Sequence, residues 1–348
     1  MSERQLVLGI ETTCDETSCA LVVDGSEILS VIIASQYEVH APFQGVVPEL
    51  ACRRHIEVLL PILKQCLVQA RCTLADVDLI AVANSPGLIG ALLIGLNAAK
   101  SLSLATGIPF IGVNHVEAHL YAAVMGCLDQ VAFPALGLVL SGGHTTMCLI
   151  EGLGQYRLIG STLDDAIGEA FDKVAVLLGL GYPGGPQIET LAQSGDPHRY
   201  PLKAGNVKGR PLDFSFSGLK TAVLYTTHGQ DGRSLDHLSS QERADLAASF
   251  QEVAFSDVVK KAKLACREFP VQSLIVGGGV SCNQRLRAML GEAISLPIYW
   301  PAPGLSTDNA AMIAGLGYQV YQRTGRGSPL DLEASPLLPW DVSASSTA

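Results

Sequence analysis

The chain of 348 residues is long enough for about two domains, and with 48% hydrophobic and 16% charged residues it can bury large cores, which argues against a mostly disordered protein. Its formal net charge of -10 argues against a protein that coats nucleic acid through bulk charge, although it is compatible with a local basic face. The nine cysteines are odd in number and form no C-x-x-C pair, which predicts reduced thiols in a reducing compartment.

In chain order, short apolar runs alternate with segments of helical periodicity. The first part predicts strands at 6–11, 19–23, 31–35, 79–83 and 110–113, and helices at 48–70, 89–105 and from Asn114 onward. Pro61 predicts a kink or break in the first helix, and Glu117 stands at capping-box spacing from Asn114. No signal peptide is predicted, because the first residues lead directly into a strand. The apolar window 79–99 is interrupted by Pro86 and Gly87, which predicts a strand, a turn and a buried helix rather than a membrane span.

A second strand–turn–strand unit at 135–150 echoes residues 6–23 and predicts an internal duplication. After it, helices are expected at 164–178, 188–193, 217–225, 242–268, 283–294 and 307–323, with strands at 274–276 and 298–300. A polar loop is expected at 195–216 and a surface tail from Gly325. The alternation predicts a largely parallel α/β sheet with ligand sites outside its strand ends.

Three glycine-bearing strand ends, at residues 9–16, 141–144 and 277–279, are expected to converge on one cleft. Glycine lets backbone N–H groups approach an anion closely, so these loops are candidates for a phosphate or nucleotide cradle. Each loop alone is equally consistent with a tight turn that binds nothing, and none matches the Walker or dinucleotide pattern.

His115 and His119 stand four residues apart on a predicted helix, so they share one face and could hold one metal. Two polar residues on a solvated face would give the same pattern. A zinc protease needs H-E-x-x-H, whereas Glu117 points about 200° away from His115 and is better interpreted as a cap partner. Asp308 is one candidate for the third ligand, but complementation of a helix dipole explains an acid at that position equally well.

Two further acidic groups are ambiguous. Asp165, Glu169 and Asp172 would share a helix face, either as a solvated stripe or as acceptors for ligand hydroxyl or amine groups. Glu11 and Asp15 flank the first turn and would need a metal or water to contact phosphate, while ordinary turn chemistry also suits them.

Eight ordered motifs between about residues 6 and 321 resemble those of the tRNA adenosine threonylcarbamoyltransferases, once labelled sialoglycoprotein endopeptidases. The motifs are LGIETTCDET at 8–17, HVEAH at 115–119, SGGHT at 141–145, GEAFDK at 168–173, YPGGP at 182–186, FSFSGLKT at 214–221, GGGV with Asn283 at 277–283, and TDN at 307–309. Three positions depart from the usual pattern: Glu189 stands where many relatives have Asp, Ser85 where Gly is usual, and Cys52 where Ser is common.

The resemblance implies an α/β actin-like fold of the sugar-kinase and heat-shock-ATPase class (ASKHA), with two duplicated lobes and a central cleft. The implied lobes are residues 1–133 with 306–348, and residues 134–305. It also implies one divalent metal per subunit, Fe(2+) with zinc as the alternative, held by His115, His119 and Asp308. The residues implied to hold threonylcarbamoyl-adenylate are Val139, Leu140, Ser141, Gly142, Gly143, Asp172, Gly185, Glu189 and Asn283.

The implied activity is transfer of the threonylcarbamoyl group to the N6 amine of the adenine 3′ to the anticodon, in tRNAs reading codons that start with A, with release of AMP. A cytoplasmic enzyme is implied, working with an inactive paralogue and a small P-loop ATPase and without a membrane. The catalytic residues are not identified by the sequence: His144 is a candidate general base and, equally, a buried structural histidine.

Basic residues on two segments are candidates for tRNA phosphate contacts, or else solvated side chains. They are Arg199, Lys203, Lys208, Arg210 and Lys220, and Arg53, Arg54, Lys64 and Arg71. A small-metabolite kinase of the same fold, which needs no histidine pair, is the alternative function. A metalloprotease is disfavoured by the position of Glu117, and a non-catalytic scaffold by the intact glycine loops and the complete candidate metal triad.

Overall fold

The computed structural model describes residues 4–43, 45–228, 238–338 and 340–342. These form two compact units: the first runs to Val131 and resumes from Trp300 to Trp340, and the second runs from Ala132 to Tyr299 and includes Asp341 and Val342. The lobe boundaries expected at residues 133 and 305 remain a prediction. A division into compact units does not by itself show which segments fold together as one lobe. The ends of the expected first lobe, residues 1–3 and 343–348, lie outside the described residues.

The strands and helices of the described residues follow in chain order. The strands are β1 (Leu6–Glu11), β2 (Glu16–Val23), β3 (Glu27–Ser35), β4 (Leu79–Ser85), β5 (Phe110–Asn114), β6 (Ala135–Leu140), β7 (Thr145–Gly152), β8 (Gln155–Ser161), β9 (Ser273–Gly277), β10 (Ile298–Tyr299) and β11 (Asp341–Val342). The α-helices are α1 (Tyr37–His40), α2 (Pro48–Ala70), α3 (Ile89–Thr106), α4 (His115–Val124), α5 (Ile167–Leu177), α6 (Gly184–Ala192), α7 (Ser217–His228), α8 (Ser240–Glu268), α9 (Gln284–Ala293) and α10 (Ala310–Thr324).

Each unit is built on one mixed sheet that begins with an antiparallel hairpin. The first sheet has the order β3-β2-β1-β4-β5, with β1, β2 and β3 antiparallel and β4 and β5 parallel to β1. The second has the order β10-β9-β6-β7-β8-β11, and β6, β7 and β8 are its antiparallel strands. The predicted repeat of the hairpin is therefore present. The expectation of a largely parallel sheet is wrong, because strands joined by tight turns pair antiparallel.

Two predictions about individual helices need correction. α2 is one continuous helix, so Pro61 does not break it. Pro61 and Glu57, whose carbonyl the proline ring faces, are both exposed, so water can solvate the group that loses its hydrogen bond. α3 is not fully buried: Ala91, Leu92 and Leu96 face the core while Leu93 is exposed.

By length and composition α3 could cross a membrane, with a mean hydropathy of 1.4. A single helix of this kind is weak evidence for a membrane span, because core helices of soluble proteins pass the same test. Its buried face packs on α2 and β4, which is the usual reason for such a composition.

The start of α10 lies directly on the first hairpin, and this contact positions the segment that precedes the helix. The hydroxyl of Ser18, on β2, accepts a hydrogen bond from the backbone N–H of Ala310 at 3.0 Å. A Cβ at Gly9, on β1, would overlap the carbonyl oxygen of Ala310. Only glycine at position 9 therefore permits this close approach, which brings Asp308 to the end of β1.

Substitution of Gly9 by alanine should destabilise the first unit. The added methyl group must displace the backbone of α10, so we expect the free energy of unfolding to fall by about 1–3 kcal/mol, the usual cost of overpacking. Urea unfolding followed by circular dichroism measures this. Gly45→Ala is the control, because no atom lies within 4 Å of the added Cβ. Equal unfolding midpoints for the two variants would contradict the role given to Gly9.

Candidate metal centre and glycine-loop site

The first unit brings His115, His119 and Asp308 together from two distant segments. β5 ends at Asn114, whose side-chain oxygen accepts hydrogen bonds from the N–H groups of Val116 and Glu117 and so caps α4. His115 is therefore the first residue of α4, and His119 lies one turn later on the same buried face. The predicted cap residue and the shared histidine face are both confirmed.

Asp308 reaches this face from the segment before α10, which packs on α4. Its Oδ1 lies 3.0 Å from Nε2 of His119 and 3.6 Å from Nε2 of His115. One ligand atom from each of the three residues lies within 4.8 Å of the others, a spacing that fits a single metal ion. Asp308 precedes the helix rather than beginning it, because Asn309 is the N-cap.

Glu11, at the end of β1, orients the ring of His115 through its Nδ1 atom. Its Oε2 accepts a hydrogen bond from His115 Nδ1 at 2.9 Å, and both side chains are buried. With a proton held on Nδ1, Nε2 faces Asp308 and is the nitrogen that would bind a metal. A carboxylate behind a histidine is the usual outer partner of a metal ligand. The sequence indicated turn chemistry, or a phosphate contact through a metal or water, for Glu11 and not this partner, because the strand order β1-β4-β5 cannot be deduced from local spacing.

The imidazole of His119 fits a metal better than it fits the protein alone. The ring is fully buried, and among the described residues neither nitrogen makes a hydrogen bond. Nε2 of His119 lies 3.0 Å from Oδ1 of Asp308, but without hydrogen-bond geometry. A buried unpaired polar group is costly, and a cation between the ring and the carboxylate would remove that cost.

The electrostatic field at the cluster favours a positive charge. Burial lowers the pKa of His115, but the charges of Glu11 and Asp308 outweigh it and raise that pKa to about 9. Burial, and then the charges of Asp15 and Asp308, raise the pKa of Glu16 well above its usual value. Acidic groups therefore crowd around Asp308, and a cation there relieves their mutual repulsion.

Glu117 does not belong to this cluster. Its Oε1 accepts a hydrogen bond from the indole Nε1 of Trp340 at 2.9 Å, rather than closing a capping box with Asn114. Burial, the larger effect, raises the pKa of Glu117, whereas the bond from Trp340 acts in the opposite direction. The carboxylate is therefore occupied away from the histidine face, which removes the general base that a metalloprotease would need.

In the second unit, the two glycine loops lie against each other at the ends of β6 and β9. Gly278 has φ +88°, and a Cβ there would overlap the carbonyl oxygen of Leu140. A Cβ at Gly168, near the start of α5, would lie 2.7 Å from the carbonyl oxygen of Ser141. In contrast, open space surrounds Gly142 and Gly143, so their backbone is accessible to a ligand. Val139 and Leu140 are buried strand residues that position this loop.

The remaining predicted nucleotide residues lie on helices joined to this loop, and several have a structural role. Asp172 accepts a hydrogen bond from the N–H of Gly184 at 2.7 Å, which fastens α6 to α5, and Gly185 next to it faces open space. Glu189 accepts from the N–H of Gln284 at 2.8 Å and so caps α9. Asn283 also caps α9 through its side-chain oxygen, while its Nδ2 donates to Gln251.

The acidic stripe predicted on α5 is not one face of a helix, because α5 begins only at Ile167. Asp165 precedes it and forms ion pairs with Lys173 at 2.6 Å and with Lys220 at 2.7 Å. Lys220 is therefore engaged within the unit, which weakens its candidacy as a tRNA contact.

Sequence reasoning missed Asp164. Its carboxylate accepts hydrogen bonds from the hydroxyls of Ser215 and Ser217 and from the N–H of Phe216, and this fastens the start of α7. Its position beside Asp165 in the sequence contained no signal for this contact.

Solved structures of low sequence identity share the fold. HypF from T. kodakarensis matches with a TM-score of 0.59 at 14% identity, over 91% of this chain and 48% of that chain. The (R)-2-hydroxyglutaryl-CoA dehydratase component A from Acidaminococcus fermentans matches with a TM-score of 0.52 at 15% identity, over 92% of this chain and 100% of that chain. With two mixed sheets that each begin with a hairpin, the protein is an α/β protein of the ASKHA class, as predicted.

Sequence comparisons identify the family within this class. Residues 27–315 match the TsaD family model, described as tRNA N6-adenosine threonylcarbamoyltransferase. A protein of that name from Protochlamydia amoebophila (strain UWE25) is 60% identical over 332 residues, covering 94% of this chain and 96% of the relative. One from Syntrophotalea carbinolica is 47% identical, covering 97% of each chain. The chain belongs to this family of tRNA-modifying transferases, and the kinase alternative is not favoured.

Replacement of His119 by leucine should distinguish the destabilising effect of the buried imidazole from its role in metal binding. Without added metal, we expect the variant to unfold at the same temperature as the wild type or higher, because an unpaired buried group costing about 1–3 kcal/mol is removed. Added Co²⁺ should raise the wild-type midpoint by mass action and leave that of the variant unchanged. Thermal unfolding with and without Co²⁺ tests both effects.

His198→Leu is the matched control, because His198 is an exposed histidine of the second unit. It should retain the full metal-dependent rise. A rise that survives in His119→Leu would show that the ion binds elsewhere.

Proposed function

We propose that the protein transfers the threonylcarbamoyl group from threonylcarbamoyl-adenylate to the N6 amine of the adenine 3′ to the anticodon, in tRNAs that read codons starting with A. The amine nitrogen attacks the carbamoyl carbonyl, the bond from that carbon to the phosphate oxygen breaks, and AMP leaves while the amine loses a proton. The observation that carries the proposal is the cluster of the buried His115 and His119 with the half-buried Asp308 in a chain of this family.

The donor set supports Fe(2+) as the resident ion, with zinc as the alternative. Two imidazoles and one carboxylate on one side of an ion form the set that non-haem iron sites use, and it leaves further positions open to substrate. When bound, the metal would supply Lewis-acid stabilisation of substrate carboxylate and carbonyl oxygens. The protein residues have separate tasks: Glu11 keeps the proton on Nδ1 of His115, and burial of His119 excludes water from its nitrogens.

The glycine loops of the second unit support a role in holding the adenylate. Gly142 and Gly143 offer an open backbone at the end of β6, where N–H groups can approach a phosphate. We assign the same role to Val139, Leu140, Ser141, Asp172, Gly185, Glu189 and Asn283. Because Oε1 of Glu189 and Oδ1 of Asn283 already cap α9, their contact with a nucleotide would use Oε2 of Glu189 and the second N–H of the Asn283 amide.

tRNA binding in an acidic protein requires local cations. Arg199, Lys203 and Lys208 are exposed on the segment between α6 and α7, whereas Arg210 lies 3.3 Å from Asp213. The three exposed cations are therefore better candidates for phosphate contacts than Arg210 or Lys220. Because its substrates are tRNA and an adenylate, we infer that the protein works in the cytoplasm.

We also propose that an inactive paralogue docks on α2, with a small P-loop ATPase as a further partner. Ile56, Leu60 and Val68 are 67%, 59% and 76% exposed and lie along one i, i+4 row of the helix, which also contains the exposed Lys64. An apolar ridge of this kind is typical of a helix that packs against another helix. A paralogue of the same fold would present an equivalent helix, so that the two could pair about a pseudo-twofold axis.

The transferase reaction is tested with the purified protein, unmodified tRNA, threonine, bicarbonate, ATP, the adenylate-forming enzyme and the partner proteins. Nucleoside mass spectrometry then measures threonylcarbamoyladenosine. We expect product with the wild type, and a loss of at least about 100-fold when His115 and His119 are both replaced by alanine, because outer partners alone change activity by 10–100-fold.

His198→Ala is the control for this assay and should retain activity. Absence of product with the wild type, under conditions in which a relative is active, would overturn the transferase proposal and favour the kinase. Full activity of the double variant would instead overturn the metal assignment alone.

Replacement of Ile56 and Leu60 by aspartate should weaken binding of the paralogue at least tenfold, because two charges would be buried against an apolar partner. Isothermal titration calorimetry with the purified paralogue measures this affinity. Leu337→Asp is the control, because Leu337 is equally exposed but lies outside α2. Unchanged affinity in the double variant would show that the paralogue docks on another surface.

A further inference from the structure

The turn between β1 and β2, residues 12–15, is in direct contact with the candidate metal centre. The N–H of Thr13 donates to Oε1 of Glu11 at 2.5 Å, and the Thr13 hydroxyl lies 3.3 Å from Nδ1 of His115. The other carboxylate oxygen of Glu11 accepts from the same His115 nitrogen. The position of Thr13 therefore affects both the ligand and the carboxylate that orients it.

Three consecutive carbonyl oxygens of this turn are each held by a donor from a different segment of the first unit. The donors are the N–H of Leu88 to Thr13 at 2.9 Å, Nε2 of His55 to Cys14 at 3.0 Å, and the N–H of Gln36 to Asp15 at 3.0 Å. The outer two donors are backbone groups, which most substitutions preserve. The middle one is a side chain, so a single substitution can remove it.

The hydrogen bonds of His55 determine its tautomer. A carbonyl oxygen can only accept, so Nε2 must carry the proton that it donates to Cys14. Nδ1 then has a lone pair and accepts from the hydroxyl of Thr17 at 2.8 Å. The ring is fully buried, and burial is the largest effect on its pKa, which lies below the usual value. His55 is therefore a neutral imidazole whose two nitrogens both contact the β1–β2 turn or the strand that follows it.

The hydrogen bond from His55 is important for the turn because the turn brings the carboxylate of Asp15 near that of Asp308. The carboxylates of Asp15 and Glu16 lie near enough to Asp308 for the charges of Asp15 and Asp308 to raise the pKa of Glu16, in addition to the larger effect of burial. Repulsion between the charges of Asp15 and Asp308 tends to open the turn away from Asp308. A donor to the Cys14 carbonyl opposes that movement, and without it this carbonyl would lose its hydrogen bond to the protein.

We propose that His55 is a positioning residue for the metal centre, which it orients through the carbonyl of Cys14 and the adjacent Thr13. The inference rests on the proposed metal site. His55 touches neither the ion nor the substrate in this role: it acts on His115 through the turn and Glu11.

Two substitutions of His55 separate its two hydrogen bonds. His55→Gln places an amide N–H where Nε2 stands and so retains the bond to Cys14. His55→Asn places its amide where Nδ1 stands, so it can retain the bond from Thr17 but loses the one to Cys14. We expect His55→Asn to bind Co²⁺ about tenfold more weakly, at the low end of the range for outer partners, and His55→Gln to bind within about threefold of the wild type.

The measurement is a Co²⁺ titration of metal-free protein against a competing chelator, followed by the visible ligand-field spectrum. The spectrum reports the arrangement of the ligands, so His55→Asn should also shift its bands. Leu59→Ala is the matched control: it removes a buried side chain one turn further along α2 that has no hydrogen-bonding group. It should lower the unfolding midpoint and leave the Co²⁺ affinity and spectrum unchanged.

The possible outcomes distinguish this inference from the proposed function. If the wild type binds no Co²⁺, the metal site is wrong and the inference fails with it. If the wild type binds but His55→Asn matches it in affinity and spectrum, or if Leu59→Ala weakens binding as much, only the positioning role is overturned.

A second measurement does not depend on whether the variants fold. In ¹⁵N spectra of the wild-type protein, His55 should be a neutral imidazole with its proton on Nε2. A proton on Nδ1, or a charged ring at neutral pH, would contradict the donor that the inference requires.

Discussion

The hydrogen bond from His115 to Glu11 joins the end of β1 to the start of α4, and the arrangement of the first unit depends on it. An imidazole buried beside carboxylates is stable only if its proton and its lone pair both have partners. Glu11 accepts the proton of Nδ1, and a cation held together with His119 and Asp308 would accept the lone pair of Nε2. The elements that carry these groups, β1, α4 and the segment before α10, must therefore meet at one point.

The fold satisfies this constraint through the order of its strands. β1 lies between the antiparallel strand β2 and the parallel strand β4, and β5 follows beside β4, so the carboxyl ends of β1, β4 and β5 share one edge. Ligand sites of α/β sheets lie at such edges. The second unit repeats the design at the ends of β6 and β9, where the Ser141–Gly143 loop and the Gly277–Gly279 loop touch. The same kind of sheet, which begins with a hairpin, thus carries the candidate metal cluster in one unit and an accessible glycine backbone in the other.

The buried polar groups around the first site extend beyond the ligands. His55, Gln36 and Thr17 have little exposure, and their hydrogen bonds fasten a turn that ends at Asp15, next to Glu16. Networks of this kind are effective only when every member is paired. Near this site, the exceptions within the described residues are both nitrogens of His119 and Nδ2 of Asn114, and a cation would supply a partner for His119.

Local sequence determined the elements and the chemistry that each carries. The 3.6-residue period put His115 and His119 on one face, Asn114 was recognisable as a cap, and glycine runs after apolar strands marked the loops. These features depend only on neighbouring residues. The ordered motifs likewise indicated the family, which the comparisons confirmed.

Tertiary structure decided which distant groups meet. Spacing alone could not choose Asp308 over other acids, because it lies 189 positions from His119 and reaches it only through the packing of α10 on α4. The pairing of Glu11 with His115, the use of Glu117 by Trp340, and the capping of α9 by Glu189 likewise depend on strand order and helix packing. Local periodicity contains no information about such contacts, since each joins segments whose separation along the chain is unrelated to their distance in space.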